Sequence, residues 1–203
     1  MKTSIILTAL LATAVIAPSV HAEPDYRQLA MEVVKRDFQP NGIAKLDRLD
    51  HDAVQFVCNK YGNNPPRKLV EMLQAEQLAT VKWPADGNLM GNWKAGETLA
   101  QSGRGLTWTD GLGTAVGGNC YNCHRLSPSE ISYGTLGPSL LQFGKLRGNT
   151  AETQKYIYSK LYNAKAYNLC SNMPRFGHSG ALNEKQIKDL VALLLDPESP
   201  VNK

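Results

Sequence analysis

The chain has 203 residues, with 22 Lys and Arg against 18 Asp and Glu and a formal net charge of +4. At 42% hydrophobic and 20% charged residues it has the composition of a folded globular protein, which excludes wholesale disorder. No Lys/Arg run exceeds two residues, so the charge leaves no nucleic-acid footprint, and four cysteines are too few for a disulfide-built mini-protein.

Residues 1–22 read as a cleavable signal peptide. Met1-Lys2 supplies the positive start, residues 5–16 the apolar stretch and Val20-His21-Ala22 a small-x-small cleavage site. The competing reading is an uncleaved anchor. Thr8, Thr13, Pro18, Ser19 and His21 weaken it, because they dilute a stretch barely long enough to span a bilayer. No later apolar run approaches a span, so the expected product has no membrane span after cleavage. It is exported into an oxidising compartment.

Helical periodicity dominates the remainder and strand-like alternation is scarce, which predicts an all-α protein. A helix over residues 26–38 carries Leu29 and Val33 on one side. A second, over 46–61, places Leu49, Ala53, Phe56 and Val57 on one face. Pro65-Pro66 opens a third, with Leu69, Leu73, Gln77 and Leu78, ended by Trp83-Pro84. A short helix over 95–101 leads into a glycine-rich loop from 103 to 118. Asn149-x-x-Glu152 reads as the capping box of a helix carrying Ile157, Leu161 and Ala164. Asn183-x-x-Gln186 starts the last helix, whose Ile187, Leu190, Val191 and Leu194 form one face until Asp196-Pro197 stops it. The mature chain thus divides into a helical extension, residues 23–89, and a compact helical domain, residues 90–203.

Cys120-Tyr-Asn-Cys123-His124 is C-x-x-C-H, the attachment sequence of c-type haem. Two thiols at this spacing reach two vinyl groups on one porphyrin edge, and the adjacent imidazole then lies beneath the iron as proximal ligand. Half a zinc site would need a second Cys/His pair at matched spacing, for which Cys170 and His178 are a poor substitute. A thioredoxin-like pair would need a βαβ setting. Met173, in a Pro-flanked loop between two predicted helices, is the candidate for the opposite axial position. His178 is the runner-up and Cys170 a minor alternative. The carbonyl of the Gly137-Pro138 turn is placed to accept the Nδ1–H of His124, although a plain turn reads equally well. His51 reads as a solvated helix residue.

Haem attachment leaves Cys58 and Cys170. In an oxidising compartment they read as a disulfide fastening the extension beside the Met173 loop, with two unrelated buried thiols as the alternative.

The blocks Gly118-Asn-Cys-Tyr-Asn-Cys-His124, Gly134-Thr-Leu-Gly-Pro-Ser-Leu140 and Asn172-Met-Pro-Arg-Phe-Gly177, together with the tail at residues 194–202, resemble class I c-type cytochromes. The tighter resemblance is to the SoxX family, monohaem subunits of SoxAX thiosulfate-oxidising complexes. It covers about residues 95–202. The resemblance implies a class I cytochrome c fold with one haem c bound covalently by Cys120 and Cys123, His124 and Met173 being its axial ligands. It implies a periplasmic heterodimer with a catalytic SoxA-type haem subunit, and transient contact with the SoxYZ carrier and a soluble cytochrome c acceptor. The complex is an L-cysteine S-thiosulfotransferase in which this subunit accepts electrons and does no chemistry itself. The extension departs from that pattern and reads as an arm packing against the partner. A free periplasmic electron shuttle is the alternative, and a sensor or peroxidase-like haem protein a third.

Overall fold

The computed structural model describes residues 24–111 and 113–203, so the expected signal at residues 1–22 lies outside the described residues. Seven α-helices lie among them: α1 (Tyr26–Asp37), α2 (Ala53–Tyr61), α3 (Arg67–Ala79), α4 (Trp93–Gln101), α5 (Phe143–Arg147), α6 (Ala151–Tyr162) and α7 (Glu184–Leu195). No strand occurs among the described residues, and the fold class is all-α.

The chain forms two units, one ending at Phe38 and one running from Gln39 to Lys203. The first contains α1, started by Asp25, whose carboxylate accepts from the N–H groups of Arg27 and Gln28 at 3.1 Å. In the second, residues 39–89 belong to the same compact unit as the C-x-x-C-H segment, so the division anticipated near residue 90 falls inside it.

The predicted helix over 46–61 is two elements, a 3-10 turn (Leu46–Leu49) and α2. Asp52 separates them. Its carboxylate accepts from the Gln55 N–H at 2.8 Å while the Gln55 side chain accepts from the Asp52 N–H at 2.9 Å. The buried face of α2 is Val54 and Cys58, whereas Phe56 is exposed. These two residues join Leu73 of α3 and Leu169 in a small apolar cluster, flanked by Leu69, Val70 and Cys170.

The larger core lies among α4, α6 and α7, where Ala100, Ile157, Tyr158, Leu161, Ile187, Leu190 and Val191 are buried. Helix α4 crosses α7 closely at Gly96, where a Cβ would overlap the backbone carbonyl of Asp189. Asn183 and Gln186 cap α7 reciprocally as anticipated. The box at Asn149 is displaced by one residue, since Thr150 caps α6 through the Thr153 N–H and Asn149 instead accepts from Gln154.

The tail has a structural task. Asn202, buried, donates through Nδ2 to the carbonyls of Leu194 (3.1 Å) and Asp196 (2.9 Å), closing the end of α7. Its Oδ1 accepts from the N–H groups of Gly144 (2.9 Å) and Lys145 (3.3 Å) at the start of α5. Ser199 Oγ donates to the Leu193 carbonyl and accepts from the Val201 N–H. Replacing Asn202 by Ala strands four backbone groups, and an unfolding free energy lower by about 3 kcal/mol is expected from urea titration.

Candidate haem-binding site

The C-x-x-C-H segment leaves α4 through the glycine-rich loop and is pinned back onto it. The Gly118 N–H donates to the Leu99 carbonyl at 2.8 Å and the Asn119 N–H to Ser102 at 2.9 Å. At Gly117 any side chain would overlap the Ser102 carbonyl, which explains one of the loop's glycines. Asn119 adopts a left-handed conformation (φ 51°) and starts a 3-10 turn over Cys120–Asn122. Within that turn the N–H groups of Cys123 and His124 both donate to the Cys120 carbonyl, at 3.1 and 2.9 Å. One tight turn therefore groups two thiols and an imidazole.

Cys120 and Cys123 are free thiols. Burial pushes the Cys120 thiol up to about 12, the opposite of the low value that activates a thioredoxin-type cysteine. Between them Tyr121 is buried and donates its hydroxyl to Glu97 Oε1 at 2.9 Å, tying the turn to α4. Burial raises the Glu97 carboxyl above its ordinary value despite this bond. The Glu97–Tyr121 pair has no periodicity signature, because its partners are 24 residues apart in sequence.

His124 is oriented from the following loop. Its Nδ1 lies 2.7 Å from the Pro138 carbonyl oxygen, so Nδ1 carries the proton and Nε2 keeps its lone pair. The loop is fixed by the Gly134 N–H to Tyr121 O and the Gly137 N–H to Cys123 O, both 2.8 Å, and by the Leu140 N–H to Arg125 O, also 2.8 Å. Gly137 packs flat on the imidazole. A Cβ there would stand 2.5 Å from Nδ1 and 2.7 Å from Nε2.

Met173 is half-buried and packs on the larger core, which also includes Tyr121, with Cys120 and Leu140 packed against it. Its own N–H donates to Ser171 Oγ at 3.1 Å. The segment around it is tethered on both sides. Cys170 is bonded to Cys58 of α2, closing a separation of 112 residues, and is thereby removed as an iron ligand or zinc partner. Arg175 Nη1 pairs with Asp52 Oδ2 at the start of α2 and donates to Gln77 Oε1 of α3 at 3.3 Å. Burial pushes the Asp52 carboxyl up, but the Gln55 N–H and the Arg175 guanidinium outweigh it and leave the group below its ordinary value.

The remaining histidines are placed differently. His178 is exposed, its imidazole lowered by partial burial and by the Arg175 charge. His51 is exposed in the loop before α2, not within the helix.

These residues fit a c-type haem. Two unoxidised thiols at the attachment spacing, an imidazole with Nε2 left free, a glycine that clears its ring and a thioether on the same apolar core form a complete donor set. A cytochrome c family profile matches residues 100–196, which contain all five. The chain is also 43% identical over 157 residues to an uncharacterised lipoprotein of Aquifex aeolicus (strain VF5), covering 74% of this chain and 74% of that protein. Residues 100–196 are thus similar to the cytochrome c family. Its members are electron-transfer haem proteins, and the C-x-x-C-H segment is where such a domain carries haem c covalently.

Proposed function

We propose that this chain is the monohaem, electron-accepting subunit of a periplasmic SoxAX-type complex, bound to a catalytic SoxA-type haem chain. That partner couples thiosulfate to a cysteine of the SoxYZ carrier, and this subunit passes the electrons to a soluble cytochrome c. The observation that carries the electron-transfer part is the tethered Met173 loop on the core that also holds the His124 turn. When bound, the haem supplies one reversible electron at iron, and a thioether ligand favours the reduced state. Cys120 and Cys123 would hold it by attachment, His124 Nε2 and Met173 would supply iron ligands, and the Pro138 carbonyl fixes the imidazole tautomer. A single C-x-x-C-H in the chain supports one haem.

Periplasmic location is supported by the signal-like residues 1–22, by the Cys58–Cys170 disulfide and by the lipoprotein designation of the Aquifex relative. No helix among the described residues is long and apolar enough to cross a membrane. The Sox assignment rests on the Met-Pro-Arg-Phe-Gly block and the tail.

One observation favours a free electron shuttle as second reading. Helices α2 and α3 turn Val54, Cys58 and Leu73 inward onto Leu169 and so do not form an uncommitted arm. Exposed apolar groups remain in and just after α1 (Tyr26, Leu29, Val33, Phe38) and also beyond it (Leu46, Phe56, Met72, Leu78, Trp83). Purification of the native protein separates the two readings. Expected is co-elution with a second haem-bearing chain that survives salt, with one haem in this chain. Elution as a single chain overturns the SoxAX assignment and leaves the shuttle. In either case Met173→Ala should abolish the methionine-to-iron charge-transfer band of the oxidised protein.

A further inference from the structure

Beside the Met173 loop lies a cavity of about 370 Å³ that Met173 helps to line and that none of Cys120, Cys123 and His124 lines. Its walls include His51, Asn59, Asn63, Lys165, Asn172 and Arg175, and no carboxylate lines it. Lys165 and Arg175 both line it, and Arg175 already has a counter-charge in Asp52. Asp52 is already committed, one oxygen to the Gln55 N–H and the other to Arg175. Lys165 Nζ has no carboxylate partner among the described residues and donates to the carbonyls of Leu169 (3.2 Å) and Ser171 (3.3 Å), which uses two of its three donors. Burial lowers the Lys165 ammonium below its ordinary value and the Arg175 charge lowers it further, outweighing the opposite pull of the Asp52 carboxylate.

We propose that this cavity binds a small tetrahedral oxyanion, held by the free donor of Lys165 and the side-chain amides of Asn59, Asn63 and Asn172. An anion here pairs with the Lys165 ammonium and meets several neutral N–H donors. The volume admits an ion together with waters, each taking ~30 Å³. The site is independent of the SoxAX assignment, since it uses no residue of the C-x-x-C-H turn. Because Lys165 and Asn172 also belong to the stretch that holds Met173, an occupant bears directly on that stretch.

The test is an NMR titration of the isotopically labelled, reduced holoprotein with inorganic phosphate, ionic strength being held constant with chloride. Expected are saturable shifts at Asn59, Asn63, Lys165 and Asn172, with affinity weakened about tenfold by Lys165→Met and likewise by Asn59→Asp. Asn59 is exposed on α2, so Asn59→Asp decides the matter even if Lys165→Met disturbs the loop. Shifts that fail to saturate, that scatter over exposed lysines, or that ignore Asn59→Asp overturn the site.

Discussion

Replacing Cys58 and Cys170 together by alanine is expected to lower the unfolding free energy by about 4–5 kcal/mol. The bond closes a separation of 112 residues, and in the chain-entropy account a cross-link of that span removes this much freedom from the unfolded state. In urea the midpoint should fall by roughly 2 M and the slope should rise, because the unfolded chain without the cross-link expands and exposes more surface. A second effect is local. Cys170 precedes Met173 by three residues and, with the Arg175–Asp52 pair on the other side, fixes the loop to α2. The oxidised double variant should therefore show a weakened methionine-to-iron band and faster uptake of added imidazole. Asp52→Asn, which cuts the second tether and leaves the disulfide intact, should produce the spectral effect with a much smaller loss of stability. A double-cysteine variant as stable as the parent would show that the cross-link constrains neither state.

The tethers change what residues 39–89 are for. From sequence, the whole extension, residues 23–89, reads as an arm that needs a partner to pack against. In the structure residues 39–89 meet that need within the chain: Leu73 and Val54 pack on Leu169, Gln77 and Thr80 accept from the buried Asn163 amide, and Gln77 also accepts from Arg175. The Met-Pro-Arg-Phe-Gly block gains a physical explanation in the same way. Arg175 reaches α2 and α3, Phe176 is buried in the larger core, and Gly177 lies so close to the Tyr162 ring that a Cβ would overlap it.

What could be read in advance was local chemistry. The C-x-x-C-H turn needs five consecutive residues, the Asn183–Gln186 box needs four, and the Gly137-Pro138 carbonyl needs only a short loop to return to His124. The misplacements have equally concrete causes. Asp52-x-x-Gln55 was as legible a helix start as Asn183-x-x-Gln186, but the apolar stripe running across it suggested one longer helix. The burial of Cys58 in place of Phe56 was fixed by a partner 112 residues away, beyond the reach of any periodicity. Helix α5, five residues with no buried member, carries no amphipathic signal, and its start is held by Asn202 some 58 residues downstream. The tail showed the converse: a segment noticed as a family mark has hydrogen-bond work that accounts for its residues.

Gly137→Ala is expected to damage the site through the His124 ring itself. The reason is contact, not backbone freedom, since Gly137 is not among the glycines with positive φ. The new Cβ would press into the face of the His124 ring, 2.5 Å from Nδ1. The backbone cannot retreat easily, because the Gly137 N–H is bonded to Cys123 O and the next residue is Pro138. The ring must therefore tilt, which breaks the 2.7 Å bond from Nδ1 to Pro138 O and frees the tautomer that presents Nε2. Overpacking together with a stranded donor should cost about 3 kcal/mol. The spectroscopic result should be a large fall in haem-loaded protein, and in the fraction that loads, a lower affinity of the proximal imidazole seen as earlier loss of the low-spin spectrum on acidification. Gly111→Ala is the control: an added Cβ there meets nothing nearer than Thr114 Oγ1 at 4.0 Å, so loading and acid titration should match the parent. If Gly137→Ala loads and titrates like Gly111→Ala, the His124 ring is not held by the Pro138 carbonyl in the haem-bound protein.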